Sequence, residues 1–100
     1  MIKHIVVWRL KDEALGKTKA ENLIEMKAAI EALRYSVPGV MALEVGLDIG
    51  AAPDSWDIVI YSEFSDRAAL DVYQDHPEHV KVKELVAEVR ELRAAIDYEV

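Results

Sequence analysis

The stretch Ile2-Lys3-His4-Ile5-Val6-Val7-Trp8-Arg9-Leu10 decides the fold, because it is apolar on both of the sides that a strand presents. Its β-branched residues and its length read as a strand. Successive side chains of a strand point to opposite faces of the sheet. Ile2, Val6, Trp8 and Leu10 therefore share one face, and Ile5 and Val7 share the other. The stretch from Trp56 to Phe64 repeats the pattern, with Ile58, Ile60 and Phe64 opposing Val59 and Tyr61. A sheet with helices on one side and water on the other would alternate apolar with polar residues. Neither stretch does, so both faces of this sheet need an apolar partner.

Working outward, residues 17 to 35 switch to a helical period. Leu23, Met26, Ile30 and Leu33 recur at three- and four-residue steps between charged residues, and Pro38-Gly39 ends the run. Met41, Leu43, Val45, Leu47 and Ile49 alternate as a second strand, and a loop around Pro53 leads into the third. Ser65-Asp66 caps a helix predicted over 67 to 74. The chain breaks at His76-Pro77, and the spacing predicts that helix resumes through about Arg93, with Leu85, Val89 and Leu92 as its apolar stripe. Residues 96 to 100 close the chain as a short strand. This β-α-β-β-α-β order is the ferredoxin-like α+β arrangement, a four-stranded antiparallel sheet with helices on one face. The helices cover one face only. The economical cover for the other is the same face of a second copy, which predicts a homodimer through the sheet with a barrel-like centre.

Composition bounds the function. One hundred residues make a single domain, long enough to bury roughly two thirds of its unfolded surface. The apolar fraction of 52% is high for a chain of this size and agrees with a subunit interface. There is no cysteine, so disulfides and thiol nucleophiles are excluded. A net charge of −7 spread along the chain argues against a nucleic-acid partner. No run is long and apolar enough to span a membrane, and no signal peptide is evident before the first strand. A soluble cytoplasmic domain is the simplest expectation.

The chemistry concentrates in Tyr73-Gln74-Asp75-His76-Pro77-Glu78-His79-Val80, which holds two of the three histidines. Proline fits the first turn of a helix, where its missing N–H costs nothing. A helix starting at Pro77 places His79 in its first turn, where free amides and the macrodipole oppose a further positive charge. A neutral imidazole there can accept a proton, bind a metal or hold a hydrogen bond. As a base on a carbon beside a carbonyl, it needs an orienting acceptor and a donor for the enolate oxygen. Asp97 and Tyr73 supply those types, and the neighbouring terminal and first strands bring His4 close. Trp8, Leu43 and Ile58 are expected to wall the cavity. The structural alternative stays open: His76 shapes the turn, while His79, His4, Tyr73 and Asp97 satisfy hydrogen bonds between helix and sheet. The spacing of His76 and His79 also raises a metal site with Asp75, Glu78 or His4, but the break turns the rings apart and no His-x-x-x-His pair is present. No phosphate loop or nucleophile elbow occurs.

Several of these segments together resemble the stress-responsive A/B barrel (Dabb) family. They are Ile2-Lys3-His4-Ile5-Val6, Pro38-Gly39-Val40, Leu43-Glu44-Val45-Gly46, Ser62-Glu63-Phe64, the histidine segment and Asp97-Tyr98, in order across almost the whole chain. The resemblance implies a dimeric α+β barrel, and some plant members are associated with stress; a small hydrophobic or aromatic ligand is the partner expected in the cavity. One plant member is a polyketide cyclase that closes a ring by aldol condensation without metal or organic cofactor. The resemblance carries the cyclase's base onto His79, its aromatic position onto Tyr73, its first-strand histidine onto His4 and its terminal-strand acid onto Asp97. A further histidine of that enzyme is matched here by Ile58.

Overall fold

A computed structural model describes residues 1–100. Strand β1 (Ile2–Leu10) runs through the middle of the sheet. A short hairpin of β2 (Glu13–Ala14) and β3 (Lys17–Thr18) leads into helix α1 (Lys19–Ser36). Strands β4 (Ala42–Leu47) and β5 (Ile58–Phe64) follow, then helices α2 (Arg67–Asp75) and α3 (Pro77–Val89), and finally β6 (Arg90–Glu99). The sheet order is β4-β5-β1-β6, antiparallel throughout, as the ferredoxin-like reading requires.

The hairpin was not foreseen. Leu15 and Gly16 turn it with φ of 56° and 71°, the left-handed pair that matches the twist of a two-residue hairpin. Thr18 then starts α1 with a reciprocal cap: its hydroxyl accepts the Glu21 N–H, and the Glu21 carboxylate accepts the Thr18 N–H. Met26, Ile30 and Leu33 turn inward as the spacing predicts.

The larger correction concerns the C-terminal segment. Helix α3 ends at Val89, not near Arg93, and β6 begins at Arg90 rather than at residue 96. The reason is pairing: β6 follows β1 along its whole length, from Leu10↔Arg90 to Ile2↔Glu99, with an irregularity at Arg9/Leu10. Leu92 therefore belongs to a strand and not to a helical stripe.

The two faces of the sheet differ. Ile2, His4, Val6, Trp8 and Leu10 are buried beneath the helices, with Ile58, Ile60, Ser62 and Phe64 beside them. The other face carries Ile5, Val7, Val59 and Tyr61, none fully buried, and their β6 neighbours Leu92, Ile96 and Tyr98 are exposed. No helix covers that face.

Candidate functional site

The break between α2 and α3 organises the site. A helix leaves its last carbonyls without intrahelical partners, and a second helix starting at once cannot supply them from its backbone. His76 joins the two in an extended conformation, φ −62° and ψ 135°. Its N–H donates to the Tyr73 carbonyl at 3.3 Å, and its Nδ1 accepts the Glu78 N–H at 3.1 Å. His76 is thus the turn-forming cap, with Pro77 behind it in the first helical turn.

Side chains from α3 bond two of the last carbonyls of α2. His79 Nδ1 lies 2.9 Å from the Tyr73 carbonyl oxygen, and Lys83 Nζ donates to the Gln74 carbonyl at 2.8 Å. A carbonyl only accepts, so Nδ1 of His79 carries the hydrogen. In the neutral ring Nε2 then keeps its lone pair. Burial holds the ring neutral, pushing its pKa down to about 4. The positive charge of Lys83, and weaker contributions from His4 and Arg93, act in the same direction, while the bond to the Tyr73 carbonyl opposes them.

Tyr73 is the largest fully buried side chain, 1% exposed. Its ring stacks on His79 at a centroid distance of 4.1 Å, tilts against Phe64 at 5.0 Å, and meets His4 edge-on at 6.2 Å. Burial raises the pKa of its hydroxyl, so the group stays protonated and able to donate. His4, buried in β1, sits directly across the β1–β6 ladder from Asp97. Its Nδ1 bonds the Asp97 carboxylate. The Ser62 hydroxyl donates to the His4 backbone carbonyl at 3.2 Å and helps pin the strand there.

His4, Tyr73 and His79 line one cavity of about 440 Å³, in the size range of small-molecule sites. Val6, Trp8, Ile60, Leu33 and Val86 form its apolar walls. Two expectations change here. Asp97 does not orient His79: its partner is His4, and a backbone carbonyl takes the orienting role. Leu43 and Ile58 do not line the cavity: Leu43 lies on β4 at the far edge of the sheet, and β5 contributes Ile60 rather than Ile58. His76 and His79 each commit Nδ1 to the backbone, and no group of three or more His, Asp or Glu side chains is gathered to hold a metal.

Lys83, Arg90 and Arg93, outside the histidine segment and its expected partners, also line the cavity. Lys83 was legible, four residues after His79 on one helix face. Arg90 and Arg93 were hidden by the expectation that α3 continues through them.

The profile of the Stress responsive A/B Barrel Domain family matches residues 2–100. The chain belongs to that family. Among solved structures, a dimeric protein of ferredoxin-like fold from Bacteroides fragilis is 37% identical, with a TM-score of 0.87, over 99% of this chain and 95% of that one. A Dabb family protein from Mesorhizobium loti is 30% identical, with a TM-score of 0.73, over 99% and 95% of the two chains. The hydroxynitrile lyase of Passiflora edulis shares the fold, with a TM-score of 0.78 at 20% identity over 97% and 90%. No curated protein matches the sequence. In this chain Tyr73, Gln74 and His79 of the histidine segment line a helix–sheet cavity, and no helix is long and apolar enough to cross a membrane.

Proposed function

We propose that this Dabb protein is a homodimer that binds a small apolar carbonyl compound in the helix–sheet cavity and performs acid–base chemistry on it without a cofactor. The observation that carries the reading is a neutral His79 with Nε2 free, stacked on the protonated Tyr73 in a cavity of about 440 Å³. His79 Nε2 takes a proton from the carbon beside the carbonyl. The C–H electrons become the enolate double bond, and the carbonyl electrons move onto oxygen. The Tyr73 hydroxyl is the candidate donor to that oxygen. If the enolate carbon attacks a second carbonyl, a C–C bond forms and the proton returns from Nε2 to the new alkoxide. His4, fixed by Asp97, positions the ligand from the sheet side.

The dimer reading rests on the uncovered apolar face of the sheet and on the 37% identical relative described as dimeric. A second reading is favoured by one observation: His76, His79 and Lys83 all satisfy backbone groups at the helix break. In that reading the protein is a non-catalytic stress-response or assembly module, and its histidines hold α2 and α3 together.

Solvent exchange at the activated carbon of acetylacetone and benzoylacetone, followed by NMR in D2O, separates the two. The wild type should accelerate exchange over buffer, and a folded His79→Gln variant should lose that acceleration. Exchange no faster than buffer, together with a large loss of stability in His79→Gln, would establish the structural reading instead.

A further inference from the structure

The charges around the cavity contradict those of the chain. The protein carries a net charge of −7, yet no Asp or Glu lines this cavity, while Lys83, Arg90 and Arg93 do. The buried part of the lining is mostly apolar, and these three residues are exposed, so the cations mark the mouth. None of them has a carboxylate partner. Apart from His4–Asp97 on the sheet side, the chain's ion pairs lie elsewhere, among them Lys17–Glu25, Lys27–Glu31, Arg67–Glu99 and Lys81–Glu78.

Each cation is held at the mouth by the fold. Lys83 is anchored to the Gln74 carbonyl, which uses one of its three protons and leaves two. Arg93 stands directly opposite Trp8 in the β1–β6 register, on the helix side of the sheet. That is the face away from Leu92, Ile96 and Tyr98, so sheet-to-sheet dimerisation does not cover it. Arg90 follows at the end of α3. Like charges gathered at a largely apolar cavity repel one another, and an anion placed among them removes that repulsion and gains charge-assisted hydrogen bonds.

We infer that the cavity selects a small apolar carboxylate, its charged end between Lys83 and Arg93 and its apolar body against Val6, Ile60 and Val86. This rests on the proposed small-molecule reading of the same cavity and names its substrate class. A carboxylate seated there leaves the carbonyl end of a keto acid to reach His79 and Tyr73.

Phenylacetate and phenylacetamide have nearly the same shape and differ in charge, which makes them a direct test. Binding of each is followed through the imidazole signals of His79 by NMR, on wild type, Lys83→Met, Arg93→Gln, the double variant and Arg67→Gln. The acid should bind about 10- to 100-fold more tightly than the amide, the range expected for hydrogen bonds to charged groups. Lys83→Met and Arg93→Gln should each lose most of that preference. Arg67→Gln, outside the cavity, should keep it. All three side chains are exposed, so folding should survive, which circular dichroism checks. Equal binding of acid and amide overturns the carboxylate assignment but leaves the cavity a ligand site, as does a preference that persists in the double variant. Binding of neither probe overturns both readings.

Discussion

Replacing Ile96 by Asp should dissociate the proposed homodimer. Ile96 sits on the uncovered face of the sheet, opposite Ile5 in the β1–β6 ladder, with 59% of its surface exposed in the single chain. Full burial of an isoleucine side chain contributes roughly 1.5–3 kcal/mol, so covering the exposed part contributes about 1–2 kcal/mol per protomer. A two-fold interface contains the residue twice, which makes about 2–4 kcal/mol per dimer. Ile96→Asp forfeits this and also strips water from two carboxylates, at an effective cost of several kcal/mol per ion. The dissociation constant should therefore rise by at least about 1000-fold, the equivalent of about 4 kcal/mol. Sedimentation velocity over a wide concentration range measures it directly. Ile5→Asp and Val59→Asp, on the same face, should behave alike, while Tyr35→Asp on the exposed side of α1 should change nothing. If all three sheet variants sediment as the wild type does, the argument from the two-faced strands is wrong.

Other consequences concern the site and its scaffold. Tyr73→Ala removes a fully buried ring packed on Phe64 and His79 and should cost about 3–5 kcal/mol in denaturant unfolding, whereas Tyr73→Phe should fold normally and slow enol-forming exchange. Because the folded pKa of His79 lies near 4 and its ordinary value is 6.5, the unfolded chain binds the extra proton between those limits. Its contribution to stability is therefore complete above pH 6.5 and is lost as the pH falls toward 4; His79→Gln should flatten that part of the stability–pH curve. Lys83, His4 and Arg93 face the same ring, so Lys83→Met should shift the midpoint of the His79 titration upward. Thr18→Ala breaks the cap of α1 and should cost about 1 kcal/mol.

Much of the fold was legible because two-faced strands and a helix break leave strong local signals. Ile5 and Val59 pointed to a second apolar face, and His76-Pro77 marked the junction of two helices. The boundary at residue 89 was not legible, since Leu85, Val89 and Leu92 continue a helical spacing. Only pairing with β1 turns Arg90 onward into strand, a long-range effect that local periodicity cannot register. The same error propagated into the site. Arg93 was placed on a helix, so its position opposite Trp8 at the cavity mouth was missed. Asp97 falls in the terminal strand on either reading; its place opposite His4 is set by the β1–β6 register, which residue identity does not reveal. The orienting partner of His79 is a backbone carbonyl, which leaves no trace in residue identity.

The state of the His79 ring tests the central claim most directly. Long-range nitrogen–proton correlation NMR of the imidazole near pH 7, with and without phenylacetate, reads which nitrogen carries hydrogen. A neutral ring protonated at Nδ1, with an Nε2 signal that moves when the cavity fills, is the expected result. A charged ring, hydrogen on Nε2, or an Nε2 signal indifferent to every ligand would contradict a base facing the cavity.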